Sequence, residues 1–319
     1  MFKLRSVFLL LGIQLLLTAC AGSQPTASET EEFQHDFQAG ETPWTHANFD
    51  DEDSKFTFAL FSDLTGGERE GVFAVAIEQL NLLRPELIVN VGDLIEGGTR
   101  DREQLAREWN SFDQRTRCAR APVFYTGGNH DLTNPVMWDV WEERYGRRYY
   151  HFIYKDTLFL VMDTEDNPPE FQVELARIRD EALRVVEEEG WDAFDATEYG
   201  QSTERQSGRI SAEQAAYFNR VIAQNPQVLW TFVLMHKPAW ERPNEENFAS
   251  IEAALTGRPY TVFYGHVHSY LHERRQGRDY IRLATTGGVQ NYSKDMAIDQ
   301  VTLVTVSEEG VDIANIRIG

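Results

Sequence analysis

The chain lacks an apolar run long enough to span a lipid bilayer. The run near its start covers residues 7–17, well short of the roughly 20 residues that a transmembrane helix needs. Lys3 and Arg5 precede it. A basic start followed by a short apolar stretch is typical of a secretory signal peptide, so we predict that residues 1–19 are removed from the mature protein.

Cysteine is also scarce, since the chain has only Cys20 and Cys118. The first ends the sequence Leu17-Thr18-Ala19-Cys20, which resembles the lipobox of bacterial lipoproteins. The resemblance implies a lipid on Cys20 that holds the protein in the cell envelope. Because the next residue is not aspartate, it favours the outer membrane, facing the periplasm. The alternative is an ordinary signal peptide. With Cys20 lipidated, Cys118 has no partner for an internal disulfide, and the core alone must stabilise the fold.

Basic residues are few, with 30 lysines and arginines against 51 aspartates and glutamates. Loss of Lys3 and Arg5 with the signal peptide leaves 28 basic and 51 acidic residues, a net charge of −23. So acidic a chain repels polyanions, and we expect no nucleic-acid polymer among its partners. The acidity is better interpreted as an aid to solubility.

Residues 20–54 are polar, acidic and aperiodic, which predicts a flexible tether. Trp44 is the exception, because an aromatic side chain there could pack on the domain. Residues 55–319 are long enough for one large domain with a substantial core. Within them, apolar strand patterns alternate with helical patterns, which predicts an α/β fold.

These patterns locate the individual elements of the domain. Strands are predicted at residues 56–61, 86–91, 122–126, 149–154, 158–162, 228–235 and 260–264, and helices at residues 68–83, 102–117, 172–189 and 211–223. Short strands after residue 269 complete a second sheet. No repeat or low-complexity segment interrupts this order.

An acidic insert at residues 165–209 separates two of the predicted strands. Its helix at residues 172–189 is rich in glutamate and arginine, and two interpretations stay open. It is either a solvated surface helix or a lid over a crevice, because long insertions of this kind often have a function.

Polar clusters stand where five predicted strands end. They are Ser62-Asp63, Gly92-Asp93, Gly128-Asn129-His130-Asp131, Met235-His236 and Gly265-His266-Val267-His268. Side chains from several strand ends can converge in one crevice of an α/β fold. In an extended segment, His266 and His268 would face the same way, and histidine is the commonest metal ligand. Each cluster alone also fits a turn or a buried hydrogen-bonded pair.

Taken in order, the clusters resemble the calcineurin-like metallophosphoesterase superfamily, including its purple-acid-phosphatase-like members. The family pattern is Asp-x-His, Gly-Asp, Gly-Asn-His-Asp or Glu, a histidine after a strand, and Gly-His-x-His. Every block but the first matches in full, and the resemblance covers residues 55–319. It implies a four-layer α-β-β-α sandwich and hydrolysis of a small phosphomonoester or phosphodiester.

The resemblance also implies a site for two divalent ions. Carried over by motif, its ligands are Asp93 for both ions, Asp63 and His268 for the first, and Asn129, His236 and His266 for the second. Such mixed oxygen and nitrogen donors suit manganese, iron or zinc. Hydroxide held by the two ions would attack phosphorus in line. His130 would protonate the leaving oxygen, and Asp131 would orient the His130 ring or hold it charged.

The departure from the family pattern lies at Thr65, where the family has a histidine ligand for the first ion. Water could take the vacant position, Glu96 or Glu68 could replace the ligand, or the first site could be weak. A weak first site leaves open a rival function, in which the fold serves as a non-catalytic binding module in the cell envelope. The sequence leaves the substrate, the metal and the oligomeric state open.

Overall fold

The computed structural model describes residues 32–50 and 56–318. The predicted signal peptide and Cys20 lie outside the described residues. The strands are β1 (Phe33–His35), β2 (Phe56–Phe61), β3 (Leu87–Asn90), β4 (Val123–Phe124), β5 (Tyr150–Tyr154), β6 (Thr157–Val161), β7 (Trp230–Leu234), β8 (Tyr260–Tyr264), β9 (Leu271–Arg275), β10 (Arg278–Arg282), β11 (Gln300–Ser307) and β12 (Gly310–Arg317). The helices are α1 (Val72–Leu83), α2 (Arg102–Thr116), α3 (Pro135–Tyr145), α4 (Pro169–Glu189), α5 (Thr203–Gln206), α6 (Ala212–Gln224) and α7 (Glu246–Ala254).

The strands form two mixed sheets. One has seven strands in the order β1-β5-β6-β7-β8-β10-β9, and the other has five in the order β12-β11-β2-β3-β4. Strands β2, β3 and β4 run parallel, as do β6, β7, β8 and β10, whereas the outer strands pair antiparallel. The parallel strands of each sheet therefore end at a common edge.

Side chains on the two faces of β2 show why the sheets stack. Phe58 and Leu60 point between the two sheets, where Phe58 meets Phe232 of β7 with ring centroids 4.7 Å apart. Ala59 and Phe61 point the other way, into the core under helices α1 to α3. Both faces are buried, so every residue of the strand except the partly buried Thr57 is apolar.

Helices cover the outer faces of both sheets. Phe73 of α1 and Trp109 of α2 are buried against the five-stranded sheet. Phe218 of α6 and Ile251 of α7 are buried against the seven-stranded sheet. The layers follow as helix, sheet, sheet, helix, which confirms the predicted four-layer sandwich. Across the described residues, no helix is both long and apolar enough to cross a bilayer.

The predicted alternation of strands and helices is confirmed, with changes at some ends. Helix α1 begins at Val72 and not near residue 68, because Gly71 before it adopts a left-handed backbone (φ 84°). Strand β4 keeps only two residues of the predicted 122–126. The polar loops after β2 and β4 are consequently longer than the sequence pattern predicts.

Part of the predicted tether belongs to the domain. Strand β1 pairs antiparallel with β5, and Phe33 and Trp44 are buried in the core between the sheets. Asp36 forms an ion pair with Arg147. The prediction of a flexible tether at residues 20–54 is therefore wrong for residues 32–50, since apolar aromatic side chains there gain more from burial than the acidic composition suggests. The rest of the predicted tether lies outside the described residues.

Candidate metal centre

The polar clusters meet at the common edge where parallel strands of both sheets end. Asp63 follows β2 and Asp93 follows β3, while His236 follows β7 of the other sheet. The backbone N–H of Leu64 donates to the carbonyl of Asp93 (2.8 Å), and that of His266 donates to the carboxylate of Asp63 (3.2 Å). These bonds join loops of one sheet to loops of the other, so the site lies between the two.

Five of the six predicted ligands form two overlapping groups. Asp93, His236 and His266 make one group, and Asp63, Asp93 and His268 make the other, with the donor atoms of each group within 4.8 Å of one another. Asp93 belongs to both. The sixth predicted ligand, Asn129, also lies here, because its side-chain oxygen is 3.1 Å from Nε2 of His236.

The three imidazoles share one hydrogen-bonding arrangement. One ring nitrogen of each donates to a backbone carbonyl, from His236 to Val91 (2.8 Å), from His266 to Arg205 (2.6 Å) and from His268 to Val289. A carbonyl can only accept, so the bonded nitrogen must carry the proton. In a neutral ring, the opposite nitrogen then presents a lone pair, which is how proteins orient histidines toward metals.

In two of the three rings, the opposite nitrogen lies beside a carboxylate. Nε2 of His236 lies 3.1 Å from Asp93, and Nε2 of His268 lies 3.2 Å from Asp63. A lone pair beside a carboxylate oxygen is repulsive unless a proton or a cation lies between them. The donor set thus fits divalent cations.

The charges of the site also favour the binding of cations. Burial would lower the pKa of His236, but the Asp93 carboxylate beside it raises that pKa to about 9. Burial and the neighbouring Lys237 ammonium hold the pKa of His266 well below its ordinary value, so this ring is neutral. The buried carboxylates therefore draw in positive charge, and a metal ion supplies more of it than a proton does.

Backbone strain is concentrated at these ligands. Asp63, Asp93, His266 and His268 all have left-handed backbones, with φ of 43°, 58°, 73° and 57°. A residue with a side chain rarely adopts this conformation, and strained residues of this kind cluster at functional sites. Packing must hold them there.

Close packing explains one glycine of the Gly-Asn-His-Asp cluster. A Cβ atom on Gly128 would lie 2.3 Å from the Asp93 carboxylate, nearer than any real contact. Only glycine lets this loop pass so close to the shared ligand.

His130 lies beside the same carboxylate. Its backbone N–H donates to Asp93 (2.8 Å), and Nδ1 of its ring donates to the carbonyl of Glu96 (2.7 Å). Nε2 of His130 has no hydrogen-bond partner among the described residues. That nitrogen is the one available to a bound molecule.

Asp131 bonds backbone N–H groups and not the ring of His130. It is buried, and its carboxylate accepts N–H groups from Leu94 (2.9 Å), Ile95 (3.1 Å) and Gly128 (2.8 Å). The carbonyl of Glu96, and not Asp131, bonds the His130 ring, so Asp131 does not orient that ring by direct contact. That Asp131 holds the ring charged stays a prediction. Asp131 instead joins the loop of Asp93 to the loop of Asn129.

The residues around Thr65 narrow the question of the missing histidine. Thr65 is buried, with its hydroxyl 3.4 Å from the Asp93 carboxylate, so it lies at the first group. Glu96 instead accepts the N–H groups of Gly66 (3.0 Å) and Gly67 (2.8 Å), and Glu68 forms an ion pair with Arg115. Neither acid replaces the absent ligand in this structure.

Sequence reasoning missed the backbone groups of the site. The carbonyls of Val91, Arg205 and Val289 fix the three imidazoles, yet a carbonyl has no side-chain signature. Lys237 is another residue of the site that sequence reasoning missed; it is buried, and its ammonium group lies 2.8 Å from the Glu165 carboxylate. The only feature of the sequence that pointed to a role for Lys237 in the site is its position directly after His236.

The fold and the paired Asp–His groups define a metal-dependent α/β phosphoesterase. The family model for calcineurin-like phosphoesterases matches residues 56–270, and the chain belongs to this family. No significant match was found among curated proteins.

Solved structures share the fold at low sequence identity. The chain is similar to a dimetal phosphatase from Danio rerio (13% identity, TM-score 0.51), with 84% of this chain and 100% of that chain covered. It is also similar to PhoD (12% identity, TM-score 0.53), with 83% of this chain and 69% of that chain covered. A third similar structure is GAP50, described as the anchor in the inner membrane complex of Plasmodium (13% identity, TM-score 0.51). Here 83% of this chain and 85% of that chain are covered. At these identities the likeness concerns the fold alone.

The position of Asp131 yields a prediction about stability. Asp131→Asn places an amide NH₂ where one carboxylate oxygen now accepts N–H groups, so at least one buried N–H loses its partner. We expect the free energy of unfolding to fall by roughly 1–3 kcal/mol, measured by urea denaturation. Asp180→Asn, at an exposed ion pair, serves as the control. An unchanged urea midpoint for Asp131→Asn would show that the loops do not depend on this carboxylate.

Proposed function

We propose that this protein hydrolyses small phosphomonoesters or phosphodiesters with the help of two divalent ions of manganese, iron or zinc. The observation that carries the proposal is the position of Asp93 in both Asp–His groups, because a shared carboxylate holds two cations side by side. Membership of the calcineurin-like phosphoesterase family supports the same reaction class.

Each ion has its own protein donors around the shared carboxylate. Asp63, Asp93 and His268 would hold the first ion, and Asp93, Asn129, His236 and His266 would hold the second. Their combination of hard oxygens and neutral imidazoles suits transition-metal ions better than calcium or magnesium. When bound, such ions supply a nucleophile from water at neutral pH and neutralise charge on the phosphoryl oxygens.

His130 is the proposed general acid. The carbonyl of Glu96 accepts the Nδ1 proton, which fixes the ring, and the backbone bond to Asp93 keeps the residue beside the shared carboxylate. A ring so held can donate only from Nε2. In its charged form, His130 would give that proton to the leaving oxygen, so that an alcohol departs in place of an alkoxide.

The two ion sites are unequal in this proposal. The first has one imidazole and no nitrogen donor on the side of Thr65, while the second has two imidazoles and an amide oxygen. With Glu96 and Glu68 bonded elsewhere, solvent is the remaining candidate for the vacant position. We therefore propose a weaker first site. The rival function, a non-catalytic envelope module, draws its support from this weakness alone.

Loss of His236 tests the reaction. His236→Ala removes a ligand of the second ion, and we expect hydrolysis of nitrophenyl phosphate and bis-nitrophenyl phosphate with Mn²⁺ to fall by at least a hundredfold. The matched control is His272→Ala, because His272 is half exposed and pairs with Asp279. Undiminished turnover by His236→Ala would refute the enzyme, and wild-type protein without metal or turnover would favour the binding module.

Thr65→His tests the weak first site. A histidine there restores the donor of the family pattern, so we expect metal analysis after dialysis to rise from about one tightly held ion per chain toward two. Thr65→Val, which adds no donor, should leave the metal content unchanged. Two tightly held ions in the unaltered protein would contradict the proposed inequality.

The proposed location is the cell envelope, with a lipid on Cys20 that anchors the protein to the outer membrane on its periplasmic side. The basic and apolar residues before Leu17-Thr18-Ala19-Cys20 support this proposal. Cys20→Ala should move the protein from the membrane fraction to the soluble fraction of fractionated bacteria. An equal amount in the membrane fraction with and without the cysteine would rule out the lipid anchor.

A further inference from the structure

The insert at residues 165–209 returns to the metal centre through the short helix α5. The backbone carbonyl of Arg205 in α5 accepts the Nε2 proton of His266 at 2.6 Å. The ring of His266 lies against that of His236, with centroids 5.2 Å apart. A backbone group of the insert therefore contacts a proposed ligand of the second ion directly.

Lys237 holds both ends of this insert. The side chain is 1% exposed, and its ammonium group lies 2.8 Å from the carboxylate of Glu165, the first residue of the insert. It also donates to the carbonyl of Glu204 at 2.7 Å, one residue before Arg205. We name Lys237, Glu165 and Glu204 the Lys237 cluster.

Further contacts hold the cluster in place. The Glu204 carboxylate forms an ion pair with Arg242 at 2.6 Å. The backbone N–H of Lys237 donates to the hydroxyl of Thr164 (3.1 Å), whose carbonyl accepts the N–H of Arg209 (2.9 Å). The segment that carries the Arg205 carbonyl is thus fixed on both sides.

The far part of the insert is also attached to the domain. Leu175 and Ile178 of helix α4 are buried within the insert, against Tyr199, while the side chain of Gln172 donates to the domain carbonyls of Leu132 (3.1 Å) and Thr133 (2.8 Å). The helix is therefore not a fully solvated surface helix, and a role as a lid stays a prediction.

Burial explains why Lys237 is matched so closely. A buried ammonium group is costly unless a carboxylate and further hydrogen bonds surround it. Its ammonium group forms an ion pair with the Glu165 carboxylate and donates a hydrogen bond to the Glu204 carbonyl. The side chain is therefore bound to the insert and is not available to contact a phosphate.

We propose that Lys237 is a positioning residue for the second metal site. Through Glu165 and Glu204, it sets the Arg205 carbonyl at the distance where Nε2 of His266 must carry the proton, which leaves Nδ1 as the metal donor. The insert is then a fixed part of the site, and its Arg205 carbonyl selects the tautomer of His266. The part of this inference that concerns metal affinity rests on the proposed function.

The double variant Lys237→Met with Glu165→Gln tests the proposal, because it removes both buried charges together and strands neither. In the metal-free wild type, nitrogen NMR of the histidine rings should show the single proton of neutral His266 on Nε2. In the metal-free variant, it should show that proton in exchange between Nε2 and Nδ1. His266→Gln assigns the signal. Calorimetry with Mn²⁺ should show one of the two ions bound roughly tenfold to a hundredfold more weakly.

Arg100→Met is the matched control, because it breaks a different ion pair of the insert, the one between Arg100 and Asp180 (2.7 Å). It should leave the His266 tautomer and both affinities unchanged. If the double variant does not fold, the isosteric Glu165→Gln alone should shift both readouts in the same direction by a smaller amount.

An unchanged tautomer together with unchanged affinities, in the double variant or in folded Glu165→Gln, would overturn the proposal. An equal effect of Arg100→Met would do the same, since it would indicate general loosening of the insert. The two proposals fail separately. Wild-type protein that binds no Mn²⁺ would refute the proposed function, whereas the tautomer change in metal-free protein would still support the role of Lys237.

Discussion

The structure depends on one electrostatic constraint, the buried negative charge where the two sheets meet. Asp63 and Asp93 lie there almost without solvent, and Nε2 atoms of His268 and His236 lie beside them. Without a cation, part of this charge is neutralised by a proton on His236, whose pKa Asp93 raises to about 9. Close packing, such as that of Gly128 against Asp93, holds the groups together against their repulsion and against the strain of their backbones. Cation binding relieves this repulsion, which is why the fold can maintain such a cluster.

Much of the fold could be predicted from the sequence, because its signals are local. Apolar strands such as β2 and β3 are buried on both faces, and each leads into a polar cluster whose position needs no tertiary information. The same clusters predicted which side chains would converge. Their residue types and order match the family pattern, and that resemblance implied the ligand set.

The remaining features could not be predicted because they depend on distant or backbone contacts. The packing of Trp44 depends on Phe124, 80 residues further on, and not on its acidic neighbours. The partners of Asp131 are backbone N–H groups of a separate loop, which no pattern reveals. The carbonyl of Arg205 reaches His266 only through the folded insert. In each case the sequence shows one partner and the tertiary structure supplies the other.

The central claim is that Asp93 bridges two cations. Anomalous diffraction from crystals grown with Mn²⁺ tests it most directly, since each bound ion gives its own peak. The account predicts two peaks about 3.5–4 Å apart on either side of the Asp93 carboxylate, with the weaker one beside Thr65. A single peak away from Asp93, or no peak at saturating Mn²⁺, would contradict it.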